Sequence, residues 1–230
     1  MESGRSSGVV SDREEPVYFA LIGDVVGSRD LPNRAEVQRQ LQATVRGLNR
    51  RLGDHVAVPL RLTAGDEVQG LLGRPEAVVE IMVSLADDLH PAQMVWGLGK
   101  GTLDTDPSDD IAVLDGPCLH RAREAVESAK SGGRWLVADG VEEPHGRVLG
   151  SVMTLIAAIR SGWTDTRMRY VREARGRQQQ EVAALLGVSK QAVSQALRAA
   201  DFATVVDAEA AARDLLRWLG THNLEEETQP

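Results

Sequence analysis

Gln180-Glu181-Val182-Ala183-Ala184-Leu185-Leu186-Gly187-Val188-Ser189-Lys190-Gln191-Ala192-Val193-Ser194-Gln195-Ala196-Leu197 is the stretch on which the fold of the C-terminal third turns. Val182, Leu186, Val188, Val193 and Leu197 recur at spacings that let two short helices hold each other. Ala183 is small where the two helices must cross closely, and Gly187 stands where the chain must turn with φ > 0. Ser189 is placed to cap the second helix, its hydroxyl accepting from a free amide of the first turn. Lys190, Gln191, Ser194, Gln195 and Arg198 fall on the opposite face at helical spacing. Side chains of these types reach base edges and phosphates in a major groove. The spacing therefore predicts a helix-turn-helix that meets double-stranded DNA through Ser189, Lys190, Gln191, Ser194, Gln195 and Arg198. A helical hairpin that only packs or dimerises is the competing structural reading.

This run resembles the helix-turn-helix of bacterial repressors and sigma-factor-type regulators over about twenty residues. The charge around it agrees. The 230 residues carry a net charge of −8, which alone argues against a partner as acidic as DNA. Between Trp163 and Ala200, however, seven basic residues face three acidic ones, so this segment carries +4 and the remainder −12. A basic module on an acidic body suits a chain of which one part meets phosphate. Arg175 and Arg177, just ahead of the motif, are expected beside the DNA backbone. Val205, Val206, Ala211, Leu215, Leu216 and Trp218 predict a last helix that closes the domain or pairs two subunits. A homodimer on DNA is expected, because one short recognition helix reads few base pairs.

Upstream, the pattern changes from helical to mixed. Val17-Tyr18-Phe19-Ala20-Leu21-Ile22 is a continuous β-prone run that breaks at Gly23-Asp24, as a buried central strand does. Asn33 and Glu36 can cap a long helix carrying Val37, Leu41, Val45, Leu48 and Leu52. Val56 to Leu72 reads as a hairpin with Ala64-Gly65-Asp66-Glu67 at its tip. A helix striped by Val78, Val79, Met82, Leu85 and Leu89 follows, then a strand at Met94 to Gly99. Asp115-Gly116-Pro117 opens a further helix that Gly132-Gly133 ends, and Trp135-Leu136-Val137 is a final short strand. The order β, α, β, β, α, β, α, β is that of a ferredoxin-like α/β sandwich with an added strand. Val148 to Ile159 is apolar on more than one face and predicts a buried helix joining the domains. The expected organisation is a disordered tail at 1–16, an α/β domain at 17–145, a small all-α helix-turn-helix domain at 146–220 and an acidic tail at 221–230.

Two carboxylates in the first domain stand where a sheet can present acids together, Asp24 at a strand end and Asp66 at the hairpin tip. Two such acids repel unless they bind a cation, and their oxygens suit Mg²⁺ or Mn²⁺ shared with a nucleotide phosphate. Gly27, Ser28 and Arg29 follow Asp24 in a tight turn whose backbone N–H groups can hold phosphate oxygens.

The segments Leu21-Ile22-Gly23-Asp24-Val25-Val26-Gly27-Ser28-Arg29, Leu62-Thr63-Ala64-Gly65-Asp66-Glu67-Val68-Gln69-Gly70-Leu71-Leu72 and Asp115-Gly116-Pro117 with Arg121-Ala122-Arg123-Glu124-Ala125 resemble the SatD family. The same segments, in the same order, are similar to class III nucleotidyl cyclases. That resemblance implies a cyclase-like fold and carries the two metal-binding Asp roles onto Asp24 and Asp66. The catalytic half departs from the cyclase pattern. Leu62 stands where cyclases have a base-selecting Lys, His120 where they have an Asn, and Glu124 where they have a transition-state Arg. No catalytic residue is assigned.

No apolar stretch reaches the roughly 20 residues that span a bilayer, so no membrane anchor is expected. The single cysteine, Cys118, cannot form an intrachain disulfide, which fits a reducing cytoplasm. Three readings follow. The first is a DNA-binding transcriptional regulator whose cyclase-like domain senses a nucleotide, a metal or a partner. The second is a metal-dependent nucleotide-processing enzyme with an accessory DNA-binding motif, and the third is a dimerising scaffold. Loss of the cyclase Lys, Asn and Arg equivalents favours the first and third over the second, and retention of both Asp residues favours the first over the third.

Overall fold

The computed structural model describes residues 16–63, 66–106 and 108–222. Apart from residues 16, 221 and 222, the two expected tails lie outside them. The β-prone run at the start forms β1 (Tyr18–Val25) at the centre of a five-stranded sheet. A helix, α1 (Arg34–Leu52), leads to the hairpin of β2 (Val56–Thr63) and β3 (Glu67–Leu72). Then come α2 (Ala77–Leu89), β4 (Met94–Gly101), α3 (Pro117–Gly132) and β5 (Leu136–Asp139). The strand order is β2-β3-β1-β4-β5. β1 is antiparallel to both neighbours, β2 is antiparallel to β3, and β5 alone runs parallel, beside β4. The fold is therefore mixed α/β.

β1 is apolar on both faces because helices cover both faces. Phe19, Leu21 and Val25 join Leu41, Leu48, Val78, Met82 and Leu85 in one buried cluster with α1 and α2. Ala20 and Ile22 point the other way and meet Leu71, Cys118, Ala122 and Val126 under α3. α3 lies unusually close to β4. A Cβ at Gly97 would stand 2.2 Å from the Ala122 carbonyl oxygen, and one at Gly99 2.1 Å from that of Cys118. Only glycine lets the helix backbone rest on the strand there.

After β5 the chain is entirely helical: α4 (His145–Ser161), α5 (Asp165–Ala174), α6 (Gln179–Leu186), α7 (Lys190–Ala199) and α8 (Phe202–Thr221). Two sequence expectations need correction. Asn33 sits at the start of α1 but its side chain makes no capping bond, since φ −120° and ψ 36° do not give it the usual extended cap conformation. α4 is half-buried rather than wrapped in protein. Leu149, Met153 and Ile156 are buried, while Leu155 is 65% exposed and Val148 46%.

The buried residues of the two expected domains form one continuous cluster, which runs from the sheet through α4 to Val171, Val182, Val193, Val205 and Leu216. A charge network crosses the same boundary. Asp87 of α2, side chain 7% exposed, accepts from Arg160 Nη2 of α4 at 2.6 Å and from Arg175 Nε just after α5. Arg175 in turn grips Glu209 of α8 with both terminal nitrogens, at 2.8 and 3.0 Å. Burial alone would push the Arg175 guanidinium down, but the bonds and charges of Glu209 and Asp87 hold it above its ordinary value. Two cations and two acids thus share one desolvated junction between α2, α4, α5 and α8. No helix among the described residues is long and apolar enough to cross a membrane.

Candidate functional site

Two places gather the residues singled out in the sequence. The first is the pair α6 and α7. Gln178 opens α6, and its backbone N–H donates to the Glu181 carboxylate at 2.7 Å. Gly187 ends that helix at φ 67°, the left-handed value that a side chain would strain. Ser189 then caps α7, its Oγ accepting from the Ala192 N–H at 3.1 Å. Val182, Ala183, Val193 and Leu197 are buried between the helices and the rest of the core. Ser189, Lys190, Gln191, Gln195 and Arg198 are exposed and Ser194 is half-buried, so the six lie together along the outer side of α7.

The arginines ahead of this pair separate into two kinds. Arg177 is exposed and bonds Glu173 one turn back at 2.7 Å, a pairing that solvent weakens. Arg175 is drawn inward to Asp87 and Glu209 and is not presented to solvent with the α7 residues. Arg167 donates to the Gly162 carbonyl at 2.9 Å. The +4 of this segment is thus partly spent inside the protein, and Lys190 and Arg198 are the cations left on the outer face of α7.

The second place is the end of the sheet under α3. Asp24 of β1 stands opposite Glu67 of β3 in the strand register, with Asp66 one residue beyond in the turn. Both paired acids are met by cations from α3. Lys130 Nζ is 2.9 Å from Asp24 Oδ2 and 2.8 Å from Glu127. Arg123 takes Glu67 with both terminal nitrogens, while Gln69 and Thr63 donate to the same carboxylate. Burial would push the Glu67 carboxyl up, but the Arg123 bonds and charge, with those of Gln69 and Thr63, hold it below its ordinary 4.5.

A depressed folded-state value stabilises the fold above the unfolded carboxyl range, and that contribution is lost as pH falls through the folded value. Acid titration of urea-unfolding midpoints from pH 5 down to pH 3 is therefore expected to show a steeper loss in the natural protein than in Glu67→Gln. Equal slopes would mean that Glu67 is not held as a paired anion.

The Asp24 carboxylate serves an ammonium group, and no set of three His, Cys, Asp or Glu side chains able to hold a metal converges among the described residues. A divalent cation of this kind takes one or two protein carboxylates and completes its shell with water and phosphate oxygens; as the side chains stand, Asp24 is given to Lys130. The turn of Gly27, Ser28 and Arg29 is present, with Gly27 at φ 62° ahead of a single 3-10 turn. Arg121 donates to the Lys100 carbonyl at 2.7 Å, and His120 bonds Asp115 at 2.6 Å. Glu67, Arg123 and Lys130 were not among the expected site residues. Their signal was the spacing of Arg123, Glu127 and Lys130, which falls on one face of α3 over two turns.

The sequence model of the SatD family matches residues 18–216. No curated protein matches the chain significantly. Among solved structures, the chain is similar to a bacterial light-regulated adenylyl cyclase at 13% identity and a TM-score of 0.41, over 53% of this chain and 74% of that one. A second structure of a bacterial light-regulated adenylyl cyclase shows 12% identity and a TM-score of 0.41, over 53% of this chain and 42% of that one.

Proposed function

Because the chain belongs to the SatD family along nearly its whole length, we propose one function for the sheet and the helical part together, a transcriptional regulator that binds duplex DNA through α7. The observation that carries this reading is the outer face of α7. A ten-residue helix about 15 Å long fits a major groove. Gln191 and Gln195 can each pair bidentately with adenine, and Lys190 and Arg198 with guanine or phosphate. Ser189 and the free amides at the start of α7 suit a backbone phosphate. Arg177 joins them as an exposed phosphate contact. Arg175 acts through the fold instead, by fixing α5 and α8 around the pair.

The strand order β2-β3-β1-β4, antiparallel throughout, supports a ferredoxin-like, cyclase-like reading of the first part, with β5 added at the edge. That part serves as the regulatory half. The enzyme reading has less behind it. Leu62, His120 and Glu124 replace the catalytic types of the cyclases, and Asp24 and Glu67 are neutralised by cations of the chain itself.

Selection from a random duplex library is expected to enrich a two-fold repeat whose halves lie about 34 Å apart, as a dimer requires. Gln191→Ala with Gln195→Ala should flatten preference at the enriched positions by about 1 to 3 kcal/mol for each base pair read. Arg177→Gln should weaken all duplexes alike and lower the salt slope. An enriched sequence that the double variant still prefers, or no enrichment at all, would overturn the assignment.

A further inference from the structure

A cleft of about 950 Å³ opens where the sheet end, α4 and α5 meet. Its size lies within the range of about 300 to 1,000 Å³ typical of small-molecule sites. From its chemistry we propose that it binds an amphipathic organic anion, a ring-bearing apolar body with a single acidic group.

Three observations carry this. Arg160 lines the cleft with its side chain only 6% exposed. Its Nη2 is used by Asp87, but its Nη1 has no hydrogen-bond partner among the described residues. A buried donor left unpaired costs free energy that an acceptor carried into the cleft would return. Trp163 and Trp135 also line the cleft, and the Arg160 guanidinium lies 4.8 and 5.8 Å from their ring centres. With Met168 these largely buried side chains give the cleft an apolar, polarisable floor.

The charges at the cleft decide the rest. Lys130 is committed to Asp24 and Glu127, and Asp165 faces His90 at 3.2 Å. Arg134 lines the opening, is exposed, and has no acidic partner among the described residues. One uncommitted cation suits one negative charge. A polyphosphate would bring several negative charges against Asp24 and Asp165 in the same walls, which disfavours it. The site stands whether or not α7 meets DNA, since its walls and donors belong to a different part of the chain.

The test uses the full chain, without DNA, and two related dyes. These are 8-anilinonaphthalene-1-sulfonate, which carries one acidic group, and the uncharged N-phenyl-1-naphthylamine. The anionic dye should bind saturably at one site with enhanced fluorescence. Ala158→Trp and, separately, Ser161→Trp place an indole into the cleft from exposed positions of α4, and each should weaken both dyes at least about tenfold. Arg134→Gln should weaken the sulfonate about three- to fivefold and leave the neutral dye unchanged. The proposal is overturned if neither tryptophan variant weakens the dyes, or if Arg134→Gln moves both dyes alike or neither.

Discussion

Asp87→Asn is expected to cost about 3 to 5 kcal/mol of stability, the range found when one partner of a buried ion pair is removed. Asn keeps the volume of Asp87 but leaves Arg160 and Arg175 with only Glu209 to share, in a junction where Arg160 is shut off from water. Arg160 suffers most, since burial already pushes its guanidinium down and Asp87 is the main group opposing that. Urea unfolding followed by far-UV circular dichroism reads the effect as a fall in midpoint with an unchanged slope. Asp87→Leu combined with Arg160→Met should recover a good part of the loss, because it removes the stranded cation as well. If the double replacement is as unstable as Asp87→Asn, the loss comes from packing and not from charge. Disruption of the exposed pair Arg39 and Glu36 should leave the midpoint where it was.

Gly99→Ala is expected to be comparably severe. The added methyl group would meet the Cys118 carbonyl oxygen at 2.1 Å and the Ala122 amide nitrogen at 2.3 Å, and both are backbone atoms of α3. No side chain can turn away to make room, so the whole helix must lift from β4 and open the core beneath it. Overpacking of this kind costs about 3 kcal/mol or more when the obstacle cannot move. Gly132→Ala in the same helix is the contrast. Its nearest neighbour would be the Arg134 Cγ at 3.9 Å, and alanine favours the helix, though at this last residue by less than the ~1 kcal/mol of a helix interior. Thermal melts should therefore move in opposite directions for the two variants, and a Gly99→Ala protein that melts with the natural one would show that α3 does not rest on the strand.

Much of this fold was legible because local patterns carry it. The run from Val17 to Ile22 is apolar without interruption and became the central strand, and Gly187 with Ser189 marked a turn and a cap that hydrogen bonding bears out. What local pattern misses is pairing over distance. Arg175 counted as one of seven basic residues near the α7 motif, yet its partners are Asp87, 88 positions away, and Glu209, 34 positions away. Nothing in a window of a dozen residues tells an arginine bound inward from one facing water. The same holds at the sheet end. Asp24 and Asp66 pair in the sequence reading because both end β elements, whereas the strand register sets Asp24 opposite Glu67, and cations from α3, far along the chain from either acid, meet both. The apolar content of α4 suggested full burial, but composition does not say how many neighbours a helix has, and Leu155 faces solvent.

The network around Asp87 makes the helices α5 to α8 poor candidates for transplantation. Set against a body with no acid at position 87, these helices would leave Arg175 with Glu209 alone, and without them Asp87 would keep only Arg160 of its two cations. A chimaera that exchanges either half is therefore expected to need matching residues at positions 87, 160, 175 and 209. These four residues tie the inheritance of one half to that of the other.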